Sequence, residues 1–223
     1  AWTAASLSHS RGEPAQRDKN LLLAQEHYAM QNDGVRLAAT QARRVSYLAI
    51  ADPAAARIEW QALTAAHPAE HSLVQAWLLA AQGNIEGMSG NPGAATRADL
   101  QAYQAALRCG NLERAVNCAN NVGDAFAQLN ELAVALEWSE RALALARHIG
   151  NLAQIALACV NIGQALGRLK RPAEAQSRLK EARQAIAHLP THPIQLSALS
   201  ALADLALEIG DNAAALGWAA DAE

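Results

Sequence analysis

The chain repeats itself every 40 residues, and that period constrains its fold more than any other feature of the sequence. Gly110-Asn111-Leu112 recurs as Gly150-Asn151-Leu152, and Asn121-Val122-Gly123 recurs as Asn161-Ile162-Gly163, each displaced by the same interval. Extending the frame produces three columns of small residues: Gly83, Gly123, Gly163 and Ala203; Ala95, Ala135, Ala175 and Ala215; Ala102, Ala142, Ala182 and Ala222. One frame earlier, Ala55 and Ala62 keep the second and third columns while Arg43 breaks the first, so residues 30–69 read as a degenerate leading repeat. Small side chains in register are what two helix backbones need where they cross closely. A glycine in a helix interior costs roughly 1 kcal/mol, so each one in the first column calls for such a packing reason.

Both halves of a repeat have helical periodicity. Leu112, Ala115, Ala119, Val122, Phe126 and Leu129 form one stripe, and Leu132, Ala135, Leu136, Ala142, Leu143 and Ala146 another. Asn130-Glu131 separates them, and Lys170-Arg171-Pro172 and Gly210-Asp211-Asn212 stand at equivalent places, with Asp52-Pro53 and Asn91-Pro92 earlier. These are turn formers followed by prolines suited to a first helical turn. The 52% hydrophobic content comes mostly from Ala and Leu, with one Phe and three Tyr, so strand-favouring residues are scarce. The pattern predicts an all-α chain of short-linked antiparallel hairpins that bury their second apolar side by stacking.

The spacing from the glycine column to the first alanine is 12 residues, and 7 more reach the second. Asn121-Val122-Gly123 followed by Ala135-Leu136-Glu137-Trp138-Ser139-Glu140-Arg141-Ala142-Leu143 resembles the tetratricopeptide repeat family, in the longer form of about 40 residues common in bacterial regulators. Residues 70–223 carry the match in four frames and residues 30–69 in part. Asp99, Ser139 and Ala219 depart from it, standing where the family usually has a bulky aromatic. The resemblance implies an α-α solenoid coiled as a right-handed superhelix, with the first helix of each pair on a concave face. The segments expected are a tail or linker at 1–12, N-terminal helices with the degenerate repeat at 13–69, repeats at 70–109, 110–149 and 150–189, and a truncated repeat at 190–223.

The same resemblance supplies candidate peptide-binding residues. Asn121 and Asn161 match a position at which longer-repeat relatives grip a peptide backbone with a ladder of asparagines, each offering a donor and an acceptor. The neighbouring inner-face columns add Asn117, Asn120, Asp124, Gln164, Arg168, Asp204 and Glu208, and Trp77 as an aromatic anchor. A structural reading of the asparagines stands beside this one: they satisfy nearby helix termini or meet water.

Formal net charge is -3 with 18 basic and 21 acidic residues interspersed, which argues against direct nucleic-acid binding. The longest uncharged stretch, residues 184–203, is interrupted by Pro190 and Pro193, so no membrane span is expected. Cys109, Cys118 and Cys159 lack CxxC spacing and read as reduced packing residues of a cytoplasmic protein. His67 and His71 flank Pro68, and His188 and His192 flank Pro190, so neither pair supplies a full metal site. No P-loop, dinucleotide fingerprint or nucleophile elbow is present, so neither a cofactor nor catalysis is expected. Trp138 and Trp218 occupy one position of the second helices and read as packing residues.

The start, Ala1-Trp2-Thr3-Ala4, does not resemble a secretory signal, and the last unit stops partway along a second helix. The expectation is the repeat region of a larger bacterial regulatory or signalling protein. Its leading function is a non-catalytic scaffold for a protein or peptide. The alternatives are a small-molecule sensory domain and a dimerisation module of a diguanylate cyclase or transcription regulator, the latter implying a homodimer.

Overall fold

The computed structural model describes residues 3–5, 8, 13–67, 71–188 and 193–221, and these contain helices and turns but no strand. The helices are Pro14–Met30 (α1), Gly34–Ala51 (α2), Pro53–Ala66 (α3), Ser72–Met88 (α4), Pro92–Arg108 (α5), Leu112–Gln128 (α6), Leu132–Ile149 (α7), Leu152–Arg168 (α8), Pro172–Ala185 (α9), Pro193–Glu208 (α10) and Asn212–Ala220 (α11). They form two compact units, one of residues 13–121 with the described residues before them, the other of residues 122–221.

The helices end where the turn chemistry says they must. Gly90, Gly110, Gly150 and Gly210 have positive φ, as do Asn130 at 62° and Lys170 at 59°. These left-handed residues fall at intervals of 20 or its multiples, so each 40-residue repeat is two helix-turn half-units. After each, the next amide reaches back to the preceding helix, as Glu131 N does to Phe126 O at 2.9 Å and Arg171 N to Leu166 O at 2.9 Å. This reach-back hydrogen bond satisfies a carbonyl the helix end would leave unpaired. The next helix is then started by a proline, as at Pro53, Pro92 and Pro172, or by a side-chain cap, as when Asp211 Oδ1 accepts from Ala214 N at 3.0 Å.

Within the first unit α4 packs on α2 and α5, and within the second α8 packs on α7 and α9 and α10 on α11. The glycine column sits where the helices of a hairpin cross. A Cβ built on Gly83 would lie 3.0 Å from Asp99 Oδ1, one on Gly123 2.7 Å from Ser139 Oγ, and one on Gly163 2.6 Å from Leu179 Cγ. The residues 16 positions after the glycines therefore fill the space of the missing side chains. Ala102, Ala142 and Ala182 are fully buried; Ala222 lies outside the described residues.

Two sequence expectations change here. The segment before residue 13, read as a tail, is packed where it is described: Ala5 is buried against Leu21 and Tyr47, and Ser8 Oγ accepts from Asn20 Nδ2 at 3.1 Å. Arg43, which breaks the glycine column, is fully buried, pairs with Glu113 at 3.2 Å and stacks 5.0 Å from the Trp77 ring. The leading repeat therefore substitutes an ion pair and a cation–π contact for a close crossing.

Candidate binding groove

The second unit contains a groove of about 320 Å³ walled by α6, α8 and α10 and floored by α7. Its walls follow from the period. Asp124, Gln164 and Asp204 are 40 residues apart and therefore share one column of the first helices; Gln128, Arg168 and Glu208, one helical turn on, share the next. On the floor, Ala135 and Ser139 approach Gly123, and Asn161 lies on the wall beside them.

The groove is rich in acceptors. Asp124, Asp204 and Glu208 oppose a single lining cation, Arg168, whose guanidinium is already engaged: it donates to Ala127 O at 2.6 Å and to Asn130 Oδ1 at 2.9 Å. Those two acceptors belong to the C-terminal end of α6 and the turn after it, so Arg168 caps a helix end as a cation should. Asp124 Oδ2 accepts from Gln128 Nε2 at 2.8 Å, a bond that leaves its charge uncompensated. Glu208 meets Lys170 at 3.4 Å, an exposed pair of little energetic weight. Ser139 is 1% exposed, and its Oγ has no hydrogen-bond partner among the described residues.

Six of the residues expected on the inner face, Asp124, Asn161, Gln164, Arg168, Asp204 and Glu208, are thus brought together. The other four belong to the first unit. Trp77 is fully buried among Ala38, Ala42, Val74 and Leu78, with the Arg114 guanidinium 4.5 Å from its ring and Arg43 on it as well, so it is a core residue and no anchor. Asn117, one period after Trp77, is 9% exposed, and Asn120 is 2% exposed. Their columns face the packed side of the helix, where Ala80 and Val160 stand one period from Asn120. Asn121 is exposed but committed, donating to the buried carboxylate of Asp99 at 3.4 and 3.3 Å. Gln128 and Ser139 are lining residues that the sequence reading did not select. The period marks Gln128 through its column with Arg168 and Glu208, and Ser139 as the smaller residue where Asp99 and Leu179 stand one period either side.

Asp99 sits in a polar cluster of the first unit. Burial pushes its carboxyl up to about 7, against the opposing pull of Arg114 and the hydrogen bonds from Asn121 and Cys118. Burial likewise raises the Cys118 and Cys159 thiols to about 12, which removes them from nucleophilic work near neutrality. Among the described residues no group of three or more His, Cys, Asp or Glu is placed to hold a metal ion, and no helix is long and apolar enough to cross a membrane. The His67–His71 segment and the loop with His192 include residues outside the described set. Trp138 and Trp218 are half-buried under Arg141 at 4.6 Å and Arg183 at 5.0 Å respectively.

Comparison with known proteins agrees with this architecture. A model of the tetratricopeptide repeat family matches residues 152–223. Among solved structures, BtubC (BKLC) from P. vanneervenii is similar with a TM-score of 0.69 at 16% identity, covering 93% of this chain and 89% of that one. RapI in its apo form is similar with a TM-score of 0.54 at 13% identity, covering 99% of this chain and 73% of that one. At such identities the likeness is one of fold. The sequence matches no curated protein at a significant level. Residues 152–223 thus carry tetratricopeptide repeats, and the described residues as a whole share the fold of consecutive helix hairpins seen in those solved structures.

Proposed function

We propose that the chain is a non-catalytic scaffold that binds a protein or peptide segment in the groove of its second unit. The observation that carries this reading is the alignment of polar side chains from three first helices, Asp124, Gln164 and Asp204 above all, around one concavity with Asn161 on the same wall as Gln164. A peptide backbone presents alternating donors and acceptors, and amide side chains on rigid helices complement both. The long form of the repeat, shared with bacterial regulators, supports a role as the recognition region of a larger signalling protein. Free cysteines, two of them buried, support a reducing, cytoplasmic setting.

The test is selection of random heptapeptides on the immobilised chain, with affinities of the enriched sequences measured by calorimetry. Asn161→Ala combined with Gln164→Ala is expected to weaken binding at least tenfold, about the loss of one or two hydrogen bonds left without partners. Enriched peptides that bind this double variant as well as the parent would sink the groove reading.

A second reading is self-association through the last hairpin, supported by Leu207, Ile209 and Leu216 at 58%, 54% and 74% exposure. Light scattering decides it: a dimer that Leu216→Ser converts to monomer supports self-association, and a monomer at all concentrations excludes it.

A further inference from the structure

The groove of the second unit is built for a positive charge, and we propose that it selects a lysine or arginine side chain carried by the bound peptide, seated between Asp124 and Asp204 above Ser139. The inference rests on the peptide-binding reading given above and deepens it.

Three observations lead to it. The first is the charge balance: three carboxylates and one guanidinium line the groove, Glu208 meets Lys170 at its edge, and the guanidinium of Arg168 is held by Ala127 O and Asn130 Oδ1 at the end of α6, which leaves Asp124 and Asp204 without a cationic partner among the described residues. Among the described residues Asp204 has no hydrogen bond or ion pair, and Asp124 has no partner but the neutral amide of Gln128. An anionic side chain brought into this lining would meet uncompensated like charge, whereas a cation would relieve it.

The second is Ser139. A hydroxyl that is 1% exposed and lacks a partner among the described residues is a cost unless something donates to it or accepts from it. It is one of the residues that line the groove floor.

The third is the comparison between units. One period earlier the position of Ser139 is held by Asp99, whose carboxylate takes the amide of Asn121 at 3.4 and 3.3 Å and fills the space against Gly83. That site is closed by its own residues. One period later Leu179 fills the equivalent space against Gly163. Ser139 fills that space less than Asp99 or Leu179 does, and it lines the groove together with Asp124 and Asp204. Lysine brings three N–H donors and arginine five, and neither brings an acceptor, which suits a lining of carboxylates, a hydroxyl and amide oxygens.

The experiment uses the same heptapeptide selection on the full chain, read by sequencing the enriched pool. Lysine or arginine is expected to be enriched at one fixed position, and Asp204→Asn with Asp124→Asn, both exposed and tolerant of the change, is expected to abolish that enrichment and weaken binding about tenfold. Raising salt should weaken the parent more than the double variant. Peptides whose binding depends on Asn161 but shows no basic preference would overturn the charge selectivity and leave the groove reading intact. Enrichment of basic residues that persists in the double variant would overturn it as well. No enrichment at all would overturn both readings.

Discussion

Asn121 donates its side-chain amide to both oxygens of the buried Asp99 carboxylate, 22 positions earlier in the chain, at 3.4 and 3.3 Å. One period later the same two positions hold Asn161 and Ser139, and Ser139 Oγ takes no partner among the described residues. The asparagine is repeated but its role is not. In the first unit it is spent on an internal carboxylate, and in the second it lines the proposed groove.

The pair makes stability depend on pH in a stated direction. Burial raises the Asp99 carboxyl from 3.8 to about 7 in the folded chain. From about pH 4 to about pH 7 the unfolded chain has lost this proton while the folded chain keeps it, so Asp99 lowers stability as pH rises through that window and costs no more above it. Its full effect is on the order of 4 kcal/mol. Urea denaturation of Asp99→Asn across pH 4 to 8 should show a flatter profile than the parent; an identical decline would exclude Asp99 as the source.

Gly123→Ala should destabilise the second unit by about 1–3 kcal/mol, because the new methyl would lie 2.7 Å from Ser139 Oγ and 3.3 Å from the Ala135 carbonyl oxygen. Ser139→Ala in the same chain removes the nearer contact and should recover part of the loss. A double-mutant cycle by thermal denaturation measures the coupling, and strict additivity would mean the two residues do not touch.

Lys170 holds φ at 59° between α8 and α9, a conformation that disfavours a side chain. Lys170→Gly should therefore stabilise the chain by about 0.5–1 kcal/mol, with the exposed contact to Glu208 contributing little against it. A fall in Tm would show that the Glu208 pair outweighs the backbone term.

Trp77→Ala should cost about 3–5 kcal/mol, since it empties a core site and strips Arg43 and Arg114 of the ring that both contact. Asn161→Ala, in contrast, should leave stability within about 0.5 kcal/mol while weakening peptide binding. If Trp77→Ala were stable and binding-defective, the placement of Trp77 in the core would be wrong.

Much of this was legible in the chain itself. The 40-residue register of Gly83, Gly123 and Gly163 follows from what two helix backbones tolerate at a crossing, so it appears in the sequence directly. The turns at Asn130, Lys170 and Gly210 were legible for the same reason, because each marks a local backbone requirement. The columns through Asp124 and Arg168 were legible because residues 40 apart must share a face once the period is known.

What the sequence could not assign was which columns meet solvent. Trp77, Asn117 and Asn120 lie on the same helices as the groove residues, yet a rotation of one or two positions separates a packed face from an open one, and only the packing of neighbouring helices fixes that angle. The burial of Ala5 and Ser8 against α1 and α2 was hidden too, because a short segment without apolar periodicity gains its place from contacts distant in sequence. The sequence by itself therefore determined the period, the helix ends and the all-α hairpin architecture, each set by local sterics repeated along the chain. Only the packing of the helices decided that Asn121 is engaged by Asp99, that Trp77 is core and that Ser139 stands on a groove floor, because those outcomes depend on which side chain from the neighbouring helix fills the space.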